Sequence, residues 1–431
     1  MTAMRGDNLL VYVGDKIVGR LEPVRDGARF RYEPSFAAFH AGEALLSTAL
    51  PVQDEPFDRE TTRRWFSGLL PEAARLGEVS RFFGLHSESY VDLLREVGWE
   101  CAGAVRALPV GAEIARDDDG ACKRLGEEEL ARRLAALPTH PFDSASTMRV
   151  SLGGYQEKLC VVASEDPEVV DGRIERLEVA LPLRGAPTTH ILKPQPRDRL
   201  KGLCEGEAWA MAAARCATAT AESALYYTSD GTPVLMVRRY DRERVDGKIV
   251  RIHQEDGAQA LGLGPEQKYA AERAPQKSDP TFQGLASLLA TYALDPHGQM
   301  LVLLRQLTAN LVLGNTDAHA KNYSLLHDAT GAVSLSPLYD VVPAREIAPQ
   351  VLTLGMRVHG RIRSDRVARQ QVVGEAMSWG LSARAIEREL DEALDDLERG
   401  VEAASALYPA AGSRHAAAAA LTRLAELRES C

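Results

Sequence analysis

The chain has 431 residues, 45% hydrophobic and 26% charged, with a formal charge of −10. That length can bury two or three cores, and the composition is that of an ordinary globular protein rather than a disordered one. The acidic balance argues against a free-standing nucleic-acid binder, which needs concentrated Lys and Arg, so any contact with DNA would run through a basic partner.

The N-terminus carries one basic residue before Leu9-Leu10-Val11-Tyr12-Val13, a run too short for a signal sequence. No apolar stretch reaches membrane-spanning length, so no membrane contact and a cytoplasmic location are expected. Residues 8–33 read as a hairpin: Leu9–Val13, a turn at Gly14-Asp15-Lys16, Ile17–Leu21 and, after Asp26-Gly27, Phe30–Tyr32. Helical spacing then runs through Trp65-Phe66, Leu69-Leu70, Tyr90, Leu93-Leu94 and Val97, completing a small α+β unit. The acidic turn Asp117–Gly120 opens a polar connector, followed by a helix over Leu125–Leu137. Strands are predicted at Leu159–Ala163, Thr189–Lys193 and Pro233–Val237, with a helix over Cys204–Thr218. After residue 255 the pattern turns helical: Thr281–Leu294, Met300–Leu313 closed by Gly314, Ser382–Leu397 and Ala416–Leu427. Gly264–Pro280 is polar and patternless and reads as a surface loop. The six cysteines show no CxxC spacing and read as reduced, mostly buried thiols rather than a zinc site.

This order, β-rich and then helical, predicts an α+β, bilobal protein-kinase-like fold. Its parts are an extra N-terminal α+β subdomain over 1–110, an ATP-binding lobe over 111–240 and a mostly helical catalytic lobe over 241–431, the lobes joined by a strand near Val237.

The chemistry concentrates near residue 317. Leu-Gly-Asn-Thr-Asp-Ala-His-Ala-Lys-Asn places Asp317 in an Asp-x4-Asn loop with Asn322, and Asp340 follows between Tyr339 and Val341-Val342. Phosphoryl transfer needs such a set: one carboxylate to take the proton of an attacking hydroxyl, an amide oxygen and a second carboxylate to hold Mg²⁺ against ATP. A carboxylate among apolar neighbours is costly, and a metal would offset that cost at Asp340. Lys193 ends an apolar strand where it could reach the nucleotide phosphates, and a helix carboxylate could orient it. Glu205 and Glu207 both open the next helix, and Glu207 is chosen. Ser151-Leu152-Gly153-Gly154-Tyr155-Gln156-Glu157-Lys158 precedes a strand, and its paired glycines would let backbone N–H groups approach phosphate. Within the Asp-x4-Asn loop, His319 reads as structural and Lys321 as a holder of the γ-phosphate.

Taken in order, these residues resemble a HipA-type serine/threonine kinase, the toxin of a bacterial toxin–antitoxin pair. The matching pieces are Ser151–Lys158, Thr189–Pro194, Val237–Arg242, His253-Gln254-Glu255-Asp256, Gly314–Asn322 and Leu338-Tyr339-Asp340, and the N-terminal unit also resembles that family's extra subdomain, so the resemblance covers nearly the whole chain. It implies ATP and Mg²⁺ as cofactors, Asp317 as the catalytic base and Asn322 and Asp340 as metal holders. The nucleotide-contacting set it implies is Gly153, Gly154, Tyr155, Gln156, Glu157, Lys158, Lys193, Arg238, Arg239, Tyr240, His319, Lys321, Asn322, Tyr339 and Asp340, with Arg238 to Tyr240 beside the adenine. It also implies autophosphorylation of Ser151, whose added charge would oppose the nucleotide's. As partners it implies a small helix-turn-helix antitoxin of the HipB type, with DNA reached only through it. As substrate it implies a protein such as an aminoacyl-tRNA synthetase, for example the glutamyl enzyme. Arg238 stands where members of this family commonly carry Glu, and Tyr155 where they carry a small residue. Two other readings use the same residues: a small-molecule phosphotransferase, and a non-catalytic corepressor bound to a DNA-binding antitoxin.

Overall fold

A computed structural model describes residues 8–87, 89–112, 122–137, 157–163, 165–183, 185–197, 201–409 and 411–429. The expectations placed on Ser151, Gly153, Gly154, Tyr155 and Gln156 lie outside these residues.

The first unit is built on strands β1 (Leu9–Val13), β2 (Lys16–Val24) and β3 (Gly27–Tyr32), a three-stranded meander rather than a single hairpin. Its second turn uses Asp26 at φ 63° and Gly27, the left-handed conformation that tight hairpins require. Helices α1 (Pro34–His40), α2 (Arg59–Ser67), α3 (Ala73–Phe83) and α4 (Tyr90–Val97) follow, and Asp58 caps α2 by accepting from the Thr61 N–H at 2.8 Å. Strand β4 (Val105–Pro109), which the sequence pattern did not reveal, returns to pair with β1 and gives the order β3-β2-β1-β4. Leu9, Val11, Phe30, Tyr32, Trp65, Phe66 and Leu93 fill the core between this sheet and its helices.

The second unit is a curled eight-stranded sheet. Its elements in chain order are β5 (Cys122–Leu125), α5 (Glu127–Ala136), β6 (Leu159–Ala163), β7 (Val169–Val170), β8 (Arg173–Ile174), β9 (Val179–Pro182), β10 (His190–Pro194), α6 (Leu203–Ala214), β11 (Ser223–Tyr227) and β12 (Pro233–Arg238). The strand order is β5-β9-β6-β10-β12-β11-β8-β7. Central β10 runs antiparallel to both β6 and β12, with Lys193 opposite Leu235.

Chain and hydrogen bonding then pass through hairpin β13 (Arg242–Val245) and β14 (Lys248–Arg251) to a helical unit. It contains β15 (His253–Asp256), α7 (Gly257–Ala260), α8 (Phe282–Tyr292), α9 (Pro296–Val312), β16 (Ser324–His327), β17 (Val333–Leu335), α10 (Ala344–Ile347), β18 (Thr353–Val358), β19 (Arg361–Arg363), α11 (Arg369–Ser378), α12 (Ala383–Leu407) and α13 (Ala411–Arg428). Helix α9 begins four residues before the predicted Met300, because Asp295 caps it through the Gly298 N–H at 3.0 Å and Pro296 opens its first turn. Helix α12 outruns its predicted end at Leu397 and packs along α6. At the closest approach a Cβ on Gly400 would sit 2.1 Å from the Ala213 carbonyl oxygen. No described helix is long and apolar enough to cross a membrane.

Candidate phosphoryl-transfer site

Three elements converge on the site. Lys193 comes from the end of β10 and is buried; its ammonium donates to Glu207 Oε1 and to Asp340 Oδ1, each at 2.6 Å. Glu207 projects from the first turns of α6 and is fully buried, and its second oxygen has no hydrogen-bond partner among the described residues. Burial pushes the Glu207 carboxyl up, against the pull of Lys193. Burial would likewise raise Asp340, but the charge and hydrogen bond of Lys193, together with Lys158, hold it down at about 2. For Lys193 burial works against the charge, yet the two carboxylates win and keep it protonated. Lys158, leading into β6, is lowered to about 8 by burial and by the neighbouring Lys193. The centre is therefore two lysines and two carboxyl groups, of which the most ionised, Asp340, keeps 40% of its side chain open to solvent.

The Asp317 loop is set by the end of α9. Gly314 at φ 71° turns the chain out of the helix, and the Asn315 side chain ties that turn down by donating to Asn310 Oδ1 at 2.8 Å and to the Asp340 carbonyl at 3.3 Å. Asp317 follows, then a 3-10 turn over Ala320–Asn322 in which Asn322 is buried. Burial raises the Asp317 carboxyl; a hydrogen bond from Tyr269 opposes that, and Asp340 adds to it. His319 is lowered to about 4, first by burial and then by Lys268, and so stays neutral. Three buried polar atoms near the loop, Asn315 Oδ1, Thr316 Oγ1 and His319 Nδ1, lack partners among the described residues.

Asp340 and Asn322 fit a divalent cation. Asp340 supplies an ionised oxygen at working pH and Asn322 an amide oxygen, while no group of three or more His, Cys, Asp or Glu able to hold a metal ion occurs among the described residues. A hard cation held by so few protein groups would take its other ligands from phosphate oxygens and water, as Mg²⁺ does.

Two expected nucleotide contacts go elsewhere. Lys321 is buried against Asp256, the Gly68 carbonyl at 3.1 Å and Glu72 at 3.8 Å, so its charge fastens the catalytic loop to the N-terminal unit instead of facing a γ-phosphate. Arg239 is saturated by Glu100, Asp241, Thr188 and the Cys101 carbonyl. Its N–H donates to the Thr189 carbonyl at 2.9 Å and that of Arg238 to the Glu222 carbonyl at 2.8 Å, so neither is left for a base edge. The Arg238 guanidinium pairs with Glu222 at 3.0 Å and Asp166 at 3.6 Å. Tyr240 and Tyr339 pack ring on ring at 5.5 Å, and the Tyr339 hydroxyl bonds the Lys321 carbonyl at 2.6 Å, bracing the loop from below. Glu205 is in the first turn of α6 but makes no contact with Lys193, and Glu157 adjoins Lys158 ahead of β6.

One pair of residues at the site escaped the sequence pattern. The stretch 264–280, expected to be a plain surface loop, carries Lys268 and Tyr269, and the Tyr269 hydroxyl donates to Asp317 Oδ1 at 2.7 Å.

Residues 9–108 match the HipA N-terminal domain and residues 150–403 the HipA-like C-terminal domain. The chain is 35% identical over 410 residues to the putative kinase Y4mE of Sinorhizobium fredii (strain NBRC 101917 / NGR234), with 93% of each covered. It is 25% identical over 356 residues to the serine/threonine-protein kinase toxin HipA of Shewanella oneidensis, covering 79% of this chain and 76% of that one. Its fold matches a chain in the Shewanella oneidensis MR-1 toxin–antitoxin complex of HipA, HipB and operator DNA, with a TM-score of 0.80 at 21% identity over 96% of both.

Proposed function

The chain belongs to the HipA-like family, and from that premise we propose that it is an ATP-dependent serine/threonine protein kinase acting as the toxin of a type II toxin–antitoxin pair. The observation that carries this reading is Lys193 joined to both Glu207 and Asp340 at 2.6 Å. A lysine fixed between a helix carboxylate and an ionised, partly open aspartate is what phosphate binding beside a metal requires. Lys193 and Lys158 receive the phosphates, Glu207 orients Lys193, and Asp340 with Asn322 holds Mg²⁺. When bound, the metal neutralises charge on the phosphate oxygens. Asp317 takes the proton of a serine hydroxyl as that oxygen bonds to the γ-phosphorus and the bond to the departing ADP oxygen breaks. The division at 1–110, 111–240 and 241–431 assigns these roles to a nucleotide lobe and a catalytic lobe, with the N-terminal subdomain beside them.

The same reading takes a small helix-turn-helix protein of the HipB type as antitoxin, with DNA reached through it. It takes a protein substrate such as an aminoacyl-tRNA synthetase, and Ser151 as a site of self-modification that silences the enzyme, with growth arrest or persistence as the outcome. The test is transfer from ATP by purified protein, with phosphosites mapped by mass spectrometry in wild type and Asp317→Asn. The variant keeps side-chain size but cannot take the proton, so transfer should fall by about 10²–10⁴-fold while nucleotide binding survives. Transfer by the variant at the wild-type rate would remove the assignment.

A further inference from the structure

Asp317 does not stand alone as a base. Tyr269 donates its hydroxyl hydrogen to Asp317 Oδ1 at 2.7 Å, and no other side chain bonds that carboxylate among the described residues. The tyrosine is half-exposed, yet its ring is held on two sides. Its ring meets the His319 ring edge-on at 4.9 Å, and the Lys268 ammonium lies 5.1 Å from its centroid, a favourable cation–π placement. Lys268 in turn is ion-paired with Glu72, which lies at the start of α3 in the N-terminal unit and is buried. The backbone on both sides of Tyr269 is pinned, since the Lys268 carbonyl accepts from the Ala320 N–H at 3.1 Å and the Ala270 N–H donates to the Gly355 carbonyl at 2.9 Å. A patternless segment clamped at both ends, with its one phenol on the candidate base, is a support and not a passing loop.

We propose that Tyr269 is a positioning residue for phosphoryl transfer, fixing Asp317 through Oδ1 so that Oδ2 is the atom offered to the acceptor hydroxyl, and that Glu72 of the N-terminal unit holds Tyr269 in place through Lys268. The proposal rests on Asp317 being the base. A hydrogen bond donated to a carboxylate favours its charged form. The groups facing Asp317 are Tyr269, Asp340, Lys268 and Glu72, and of these only Tyr269 bonds it. The extra N-terminal unit thereby has a part in catalysis: it carries the carboxylate at the far end of the chain of contacts.

Tyr269→Phe tests this because it keeps the ring against His319 and Lys268 and removes only the hydroxyl. The measurement is kcat and KM for ATP across pH in wild type, Tyr269→Phe, Glu72→Gln and Asp317→Asn. A free carboxylate is the active form, so rate rises with pH through the Asp317 titration; losing the donor raises that pKa and moves the acid limb to higher pH. The expected result for Tyr269→Phe is a kcat lower by roughly 3- to 30-fold, a fraction of what a whole general base contributes, an upward-shifted acid limb and an unchanged KM for ATP. Glu72→Gln also removes a negative charge that itself raises Asp317, so it is read on kcat, which should fall by less than in Tyr269→Phe. An acid limb and kcat identical to wild type in Tyr269→Phe would overturn the proposal, as would phosphate found on Tyr269 itself, which would make the phenol an acceptor. If Asp317→Asn is as active as wild type, the kinase reading fails first, and that outcome is distinct from a silent Tyr269→Phe.

Discussion

Asp340 adopts φ 57°, a left-handed conformation that costs an L-residue roughly 1–2 kcal/mol. Aspartate tolerates it better than most residues, and the bond from Lys193 anchors the side chain there. An observed outlier of this kind at a site of converging charge is consistent with a residue whose direction matters more than its backbone comfort. Strain and charge separate in a single substitution. Asp340→Asn can keep the left-handed backbone, and Lys193 still has Glu207, so the fold should survive, at a melting temperature lowered by the lost ion pair with Lys193. What disappears is the ionised oxygen, since a neutral amide is a weak ligand for a hard cation. Calorimetry with ATP, with and without Mg²⁺, should show that the metal no longer strengthens binding in the variant. The loss should be at least about tenfold, or on the order of 1.4 kcal/mol. An undiminished Mg²⁺ effect would send the metal to other ligands.

Strand β18 is the wall against which the catalytic loop is set. The Gly355 N–H donates to the Thr316 carbonyl at 2.9 Å, and its carbonyl receives the Ala270 N–H. A Cβ on Gly355 would lie 2.7 Å from the backbone C and O of Ala318 and from the His319 nitrogen. None of these atoms can rotate aside, so Gly355→Ala must push the whole loop. Overpacking of this kind costs about 1–3 kcal/mol, and because the displaced segment adjoins Asp317, kcat should fall further than the lost stability alone explains. Denaturant midpoint and kcat measured together check this; wild-type values for both would show that the loop is free to yield. Legibility divides along similar lines. Asp317, Asn322, Asp340 and Lys193 could be picked out because each lies in a short segment whose spacing carries its meaning, and Glu207 could be preferred over Glu205 although only the fold shows which of them meets Lys193. Lys268 and Tyr269 could not, because their place at the site depends on contacts with residues 72, 317, 320 and 355 and leaves no local periodicity. The side chains of Arg239 and Lys321 are engaged by distant acids, and which acid reaches a buried cation is not legible in its own segment. β4, the short strands around β16 and the early start of α9 were missed as well, being brief or opened by a proline that reads as a break.

Across the whole molecule, buried charge fastens the N-terminal unit to the rest. Glu100 accepts from Arg239, Arg242 and Arg251, and Glu255 on β15 accepts from Ser47, Thr48 and Trp65. His253, at the same junction, is buried; one ring nitrogen meets the Leu46 carbonyl at 2.8 Å and the other, Nδ1, has no partner among the described residues. Burial, with neighbouring His327 adding to it, lowers His253 from 6.5 to about 4, and burial also lowers His190 on β10 to about 4 in spite of Asp166. Both rings are therefore neutral in the folded protein at a pH where the unfolded chain already carries the proton. Between 6.5 and about 4 unfolding takes up protons, so stability that is fully present above 6.5 must fall as pH falls and be exhausted near 4. Each histidine should contribute on the order of 1–3 kcal/mol to that decline. Glu100, held near 2 because its three arginines outweigh burial, stays ionised in the folded protein while the unfolded carboxyl takes up its proton near 4.5, so it steepens the lower end of the same decline. Denaturant midpoints measured between about pH 7 and about pH 4 should drop steadily, and His253→Gln, which retains a donor for the Leu46 carbonyl but cannot titrate, should drop less steeply. Equal slopes in the two proteins would mean that His253 is charged or solvated at the junction, and that the N-terminal unit does not seal against the catalytic lobe there.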